Sequence, residues 1–373
     1  MLSFPTQPPV FIFAPKQRTM ARFITSFQQL MITAALPEEV LGYIQDPSAV
    51  MTLYCNQEDV FTATIYQYNG YVRLYDIRSL IEEYIRESSD KPYCDCYFEL
   101  IAGQSTIISN RFTVIYSEFN FPNAASFFAN HFASTRKSFR IYREGQQYIW
   151  WYKDTGIIDD AWYTDCIIQP TDGSAPKVVR IDEGSNKNGG YRYLWVKPKD
   201  IQKIIDENDQ LDKGKILSFT IHRGGRSMTF YVTDEQPDLT ISFYDGFYNL
   251  AIAELYAVTT RKLEVERNEA TCQRTTRFYD QQEELSFEVE TSFLPYDEAV
   301  WLEQMLSSRS VAVKLASNTS RQILITDSTS EISDSDNEKN KLKFTYKLAK
   351  PEQYKLFDIN GQYFTEEYQD QFQ

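Results

Sequence analysis

Short runs of alternating apolar and polar residues, broken by Gly, Asn and Pro, dominate the chain, and a period of two marks half-buried strands. The run Phe61-Thr-Ala-Thr-Ile-Tyr-Gln-Tyr-Asn-Gly-Tyr-Val-Arg-Leu-Tyr75 predicts a hairpin. β-Branched and aromatic residues flank Asn69-Gly70, a pair that tolerates positive φ at both centres of a two-residue turn. The period then changes. Ile77, Leu80, Ile81, Tyr84 and Ile85 recur three and four apart, which predicts a helix with one apolar face and Asp76 at its N-cap. A second hairpin follows, Tyr97–Ile101 and Arg111–Tyr116 around Gly103.

The same order recurs. Val178–Asp182 leads through Asn188-Gly189-Gly190 into Tyr191–Val196, a helical pattern opens at Asp200 with Ile201, Ile204 and Ile205, and a hairpin joins Ile216–Ile221 to Met228–Val232 through Gly224-Gly225. Gly70 to Gly190 is an offset of 120 residues and Leu80 to Ile204 one of 124. A repeat at that period reads as an internal duplication of a β-rich domain carrying one short helix.

Between the copies, Pro122 and Asn123 start a short connecting helix with Phe127, Phe128 and Phe132 as its apolar stripe. From Leu239 onward a third β region is predicted. It has a hairpin about Asp245-Gly246, strand-like runs at Lys262–Glu266, Thr276–Tyr279 and Leu285–Thr291, and a helix carrying Trp301, Leu302, Met305 and Leu306. Strands Val311–Leu315, Arg321–Thr326 and Lys341–Leu348 close it, with a polar loop from Asp327 to Asn340. The fold class is mainly β with a few short helices, a β-rich α+β chain of tandem β-sandwich-like domains. The expected boundaries are 1–119 for the first domain, 120–136 for the connecting helix, 137–237 for the second domain, 238–350 for the third and 351–373 for an aromatic tail. Tyr354, Phe357, Tyr363 and Phe364 make that tail a candidate assembly element, because such a tail docks on a neighbour or frays.

Charge and composition narrow the function. The formal charge is −14, which argues against nucleic-acid binding, since phosphate contacts need clustered Lys and Arg. The chain has 25 Phe, 26 Tyr and 5 Trp, residues that suit strands and interfaces. Two histidines, His131 and His222, exclude a multi-His metal site, and no cofactor or metal is expected. Five cysteines, Cys55, Cys94, Cys96, Cys166 and Cys272, are an odd count at irregular spacing. Together with the absence of a basic, apolar leader at the N-terminus they predict reduced thiols packed in a protein made and kept in a reducing cytoplasm. No run approaches the ~18 apolar residues of a membrane span.

Candidate chemistry is sparse. His222 lies at a hairpin tip without a nucleophile motif. Arg223-Gly-Gly-Arg226 offers an anion loop or, more simply, a turn. Asp159, Asp160 and Asp165 cluster around Trp162 and Tyr163, and Trp150-Trp151 stands nearby. Carboxylates beside aromatic rings are how sugar sites are built, so Trp150, Trp151, Asp159, Asp160, Trp162 and Tyr163 are candidate glycan or partner contacts. A carboxylate pair there would also serve a glycoside hydrolase. The plain alternative is a polar loop beside a core strand.

Several segments resemble virion structural proteins of tailed phages and prophages of gut anaerobic bacteria. They are Gly70-Tyr-Val-Arg-Leu-Tyr-Asp-Ile-Arg-Ser-Leu-Ile-Glu, Arg111-Phe-Thr-Val-Ile-Tyr-Ser-Glu-Phe, Thr259-Thr-Arg-Lys-Leu-Glu-Val-Glu-Arg-Asn-Glu-Ala, Arg277-Phe-Tyr-Asp, Phe293-Leu-Pro-Tyr-Asp-Glu-Ala, Ile323-Leu-Ile-Thr-Asp and Lys343-Phe-Thr-Tyr-Lys-Leu-Ala. The likeness covers most of residues 55–350. It implies a non-enzymatic tail or baseplate component in the virion. Such a component is homo-oligomeric, contacts other virion proteins and brings no active-site residue to carry over. The expected alternative is a glycan-binding, host-recognition module.

Overall fold

Two β units make up the chain, Met1–Ala124 and Ala125–Gln373, and the computed structural model describes residues 21–87, 91–153, 159–186, 189–272, 275–315, 319–333 and 339–349. The aromatic tail with Tyr354, Phe357, Tyr363 and Phe364 lies outside the described residues. So do parts of the expected loop at 327–340, though its first residues continue a strand.

The first unit runs β1 (Arg22–Phe23), β2 (Leu30–Ile32), β3 (Glu39–Tyr43), β4 (Ser48–Cys55), β5 (Glu58–Tyr66), β6 (Tyr71–Tyr75), α1 (Ile77–Glu87), β7 (Tyr93–Ala102), β8 (Ser105–Ile108) and β9 (Phe112–Ile115). Its main sheet has the order β2-β9-β7-β4-β5, with β8 on β7, and a small sheet has the order β1-β3-β6. The helix forms where the periodicity placed it, burying Ile77, Ile81, Tyr84 and Ile85.

The expected hairpin at Asn69-Gly70 is corrected. The turn is there, with φ of 52° and 85°, and Tyr68 and Tyr71 exchange backbone hydrogen bonds of 2.8 and 3.0 Å. The strands then part, β5 to β4 in the main sheet and β6 to β3 in the small one. Local turn chemistry fixes the reversal, but burial of each strand's apolar face decides its neighbour. Around Gly103 the hairpin partner is β8, while the predicted Arg111–Tyr116 strand returns as β9 to the start of β7.

The second unit opens with α2 (Ala124–Asn130), β10 (Ser138–Tyr142), β11 (Gln147–Lys153), β12 (Asp159–Pro170), β13 (Lys177–Asn186), β14 (Gly190–Val196), α3 (Pro198–Glu207), β15 (Gly214–Arg223) and β16 (Arg226–Thr233). Here the main sheet is β10-β16-β15-β12-β13 and the small one β11-β14. Leaving out β1 and β8, which have no counterpart here, this is the strand order of the first unit. In both, the first strand of the main sheet pairs parallel to the last (β2 on β9, β10 on β16), and every other pair is antiparallel. The cross-strand pair Leu53–Phe98 answers to Cys166–Phe219. The reversal after β13 also splits between sheets, so the second predicted hairpin at Asn188-Gly189-Gly190 fails as the first does.

The chain continues with β17 (Leu239–Tyr244), β18 (Leu250–Leu255), β19 (Ala257–Cys272), β20 (Thr275–Thr291), α4 (Tyr296–Ser307), β21 (Val311–Lys314), β22 (Ser320–Glu331) and β23 (Lys341–Leu348). They form one sheet of order β18-β17-β21-β22-β23-β20-β19. One apolar cluster runs from Phe132 and Phe139 through Phe219 and Phe230 to Trp301, Val313 and Phe344. No break in the core therefore falls at 237–238, because Phe139 packs edge-on against Trp301 at 5.3 Å.

The runs at 262–266 and 276–279 belong to one long hairpin. β20 pairs with β23 only over Phe287–Glu290, and its partner at Phe287 is Arg261. Farther out, β19 and β20 pair only with each other among the described residues. At ~3.3 Å per residue the 16-residue β19 is about 50 Å long.

Candidate functional site

The ribbon β11–β14 carries the most distinctive surface. Alternation puts Gln147, Ile149, Trp151 and Lys153 inward, all buried, and turns Tyr148, Trp150 and Tyr152 to the other face. The register sets Tyr148 opposite Trp195, Trp150 opposite Tyr193 and Tyr152 opposite Tyr191. Six aromatic side chains therefore share one face. Ring centroids lie 5.6 Å apart for Tyr148–Trp195, 4.9 Å for Trp150–Tyr193 and 5.9 Å for Trp150–Tyr191. Tyr193 is 58% and Trp195 46% exposed.

The rungs are held in place. Trp150 Nε1 donates to the Leu250 carbonyl (3.1 Å) and the Tyr191 hydroxyl to Asn249 Oδ1 (3.0 Å). Lys197 Nζ stands 4.0 Å over the Trp195 ring. Fixed aromatic rings lose little entropy when a partner covers them. The equivalent ribbon of the first unit carries three tyrosines on the corresponding face, Tyr43 against Tyr71 at 5.7 Å and Tyr75 exposed, beside a Glu39–Arg73 ion pair.

Tyr148 also borders a cleft of about 720 Å³ whose wall includes Lys197, Lys199, Asp238, Glu254 and Lys314. Glu254 Oε2 accepts the Tyr142 N–H at 2.5 Å. A side chain at Gly145 would overlap the Glu254 carboxylate, so glycine is required there. Burial pushes the Glu254 carboxyl up to about 7, although hydrogen bonds from the backbone at Tyr142 and Gln146 pull the other way.

The structure scatters the candidate cluster. Trp150 is on the aromatic face. Trp151 points the opposite way into the core, edge-on to Phe132 at 6.2 Å and to Trp162 at 5.9 Å. Trp162 is half-buried beneath the Arg223 guanidinium, 4.9 Å from its ring. Tyr163 lies on the far face of β12, stacked on His222 at 4.4 Å with Arg180 4.1 Å above it. Asp165 is engaged by Arg180 through contacts of 2.7 and 3.0 Å, and that pairing holds its carboxyl below the usual range. The backbones of Asp159 and Asp160 lie in β12, but their side chains are outside the described residues. The Arg223-Gly-Gly-Arg226 turn turns its cations inward. Arg223 is 1% exposed and pairs with Glu183 at 2.7 Å, while Arg226 donates to the carbonyls of Phe128 and Tyr152.

No protein-family model matches this chain, and no curated protein matches it in sequence. Its chemistry therefore has to be argued from its own residues. Tyr148, Tyr191, Tyr193 and Trp195 were missed as site residues, although the alternation Gln147-Tyr-Ile-Trp-Trp-Tyr and Gly190-Tyr-Arg-Tyr-Leu-Trp carries the signal once the two runs are known to pair. No helix among the described residues is long and apolar enough to cross a membrane.

Proposed function

We propose that this protein is a non-enzymatic structural component of a phage tail or baseplate, joined to other virion proteins and to copies of itself through aromatic faces. One observation carries the reading: the six-ring face of β11–β14 is partly exposed, with Trp150 and Tyr191 anchored by hydrogen bonds, and an equivalent tyrosine-bearing ribbon recurs in the first unit. Tyr and Trp are the residues that anchor protein interfaces. The β19–β20 arm supports the same reading, because a two-stranded ribbon alone is marginal in water and gains stability against a neighbour. The resemblance noted in the sequence agrees. Size-exclusion chromatography with light scattering on the full chain tests it. The wild type is expected as a discrete oligomer, and a Tyr193→Ser/Trp195→Ser variant as a smaller species. Equal masses for the two would overturn the assignment of this face.

A second reading is a glycan-binding module, favoured by Tyr148, which belongs both to the aromatic face and to the polar cleft. A glycan array gives signal on this reading and none on the first.

A further inference from the structure

Three of the four cysteines whose side chains are described converge on one point inside the first unit. Cys55 ends β4, Cys94 and Cys96 face the same side of β7, and all three are fully buried. Cys55 lies opposite Cys96. Next to them, Asn56 N–H donates to the Asp95 carbonyl (2.8 Å) and Asp95 N–H to Asn56 Oδ1 (3.0 Å). The Cys55–Cys96 pair is therefore the non-hydrogen-bonded kind, in which facing side chains come closest. Asn56 and Gln57, with φ of 50° and 73°, turn the chain back immediately after Cys55 and fix its position.

The sulfurs are 3.5 Å (Cys55–Cys96) and 3.4 Å (Cys94–Cys96) apart, and all three lie within 4.8 Å of one another. Thiolates at about 2.3 Å from a common ion stand roughly 3.8–4.0 Å from each other, so the triangle closes on an ion with shifts of a few tenths of an ångström. Packing alone does not call for sulfur here. In the second unit the buried cross-strand pair at the matching end of these strands, reached across a bulge at Ile167–Ile168, is Ile168–Ile216, so a closely related topology closes with plain aliphatic side chains.

We propose that Cys55, Cys94 and Cys96 form a three-thiolate site for a thiophilic d¹⁰ metal ion, Zn²⁺ or Cu⁺, that ties β4 to β7. The cluster includes no fourth Cys, His, Asp or Glu ligand among the described residues. Three sulfurs complete the shell of Cu⁺ and leave one position on Zn²⁺ for a water. Soft thiolates select these ions over hard cations. Binding displaces the thiol protons to solvent and adds its free energy to that of the folded unit.

The test uses the full reduced chain, refolded anaerobically with Zn²⁺, Cu⁺ or the spectroscopic probe Cd²⁺, then dialysed and assayed for metal. The expected result is one ion per chain and a thiolate-to-metal charge-transfer absorption with Cd²⁺. Both are kept in Cys166→Ala and lost in the Cys55→Ala/Cys94→Ala/Cys96→Ala variant. Retention of Zn²⁺ or of Cu⁺ against a competing chelator identifies the ion. A second readout needs no variant: the loaded wild type unfolds at higher temperature, and a chelator reverses the gain. Reduced wild type that retains no metal overturns the proposal. So does a triple variant that is folded by circular dichroism and binds as much metal as the wild type, or a Cys55–Cys96 disulfide that glutathione disulfide closes as fast in the presence of Zn²⁺ or Cu⁺ as in their absence.

Discussion

Tyr148 and Trp195 face each other across the β11–β14 ribbon with their rings 5.6 Å apart and 22° from parallel, on the opposite face from Trp151. One strand thus gives neighbouring tryptophans opposite tasks. Trp150 joins the outward rings, whereas Trp151 fills the core.

That division predicts unequal stability costs. Trp151→Ala leaves a cavity against Phe132 and Trp162 and should destabilise the second unit by about 3–5 kcal/mol. Trp195→Ala removes a ring that is nearly half exposed and should change stability by less than about 1 kcal/mol. Urea denaturation of both variants makes the comparison, and similar midpoints would contradict the core placement of Trp151.

Replacing residues 262–286 by Asn-Gly removes the arm and rejoins Arg261 to Phe287, which already face each other. Thermal unfolding of the second unit should barely change, because none of the arm's described residues belongs to the shared apolar core. The mass in solution should fall. An arm-less chain that stays assembled would show that the arm is not part of the interface.

Glu254 predicts a pH dependence. Its carboxyl is raised in the folded state from the ordinary value near 4.5 to about 7, so the folded protein holds a proton that the unfolded chain releases. Stability is greatest below pH 4.5 as far as this group is concerned. It declines as pH rises through the window from 4.5 to about 7 and levels off above that, a loss of roughly 1–3 kcal/mol. Chemical denaturation across that window should show the slope in the wild type and a flatter line in Glu254→Gln. An unchanged slope would remove Glu254 as its source.

Gly70 has φ of +85°, and a Cβ there would stand 2.9 Å from Tyr43 Cε2. Gly70→Ala should cost the first unit about 1–2 kcal/mol, from the left-handed backbone and the displaced Tyr43 ring together. Urea denaturation reads the loss, and a neutral result would mean that the ring moves freely.

Helix α1, the turn at Asn69-Gly70 and the connecting helix with buried Phe128 were legible, since each depends on neighbours within a few residues. Partners were not. Asn69-Gly70 forms its turn, yet β5 and β6 leave it for different sheets, because a strand pairs where its apolar face is covered and the covering residues come from β3 and β4. The aromatic face was half visible. Trp150-Trp151-Tyr152 announced alternation, but Trp195 and Tyr193 join Tyr148 and Trp150 only through a register some 45 residues away.

The sequence alone determined the class of this protein: short alternating runs and a repeated order of strand, turn and helix specify a β-rich chain, because period and turn chemistry act locally. Tertiary structure decided which faces meet. It made one core of the second and third regions, put Trp151 inside and Trp150 outside on the aromatic face, and gathered Cys55 with Cys94 and Cys96. These are contacts between distant residues, set by which apolar surfaces can be buried together and not by any neighbour along the chain.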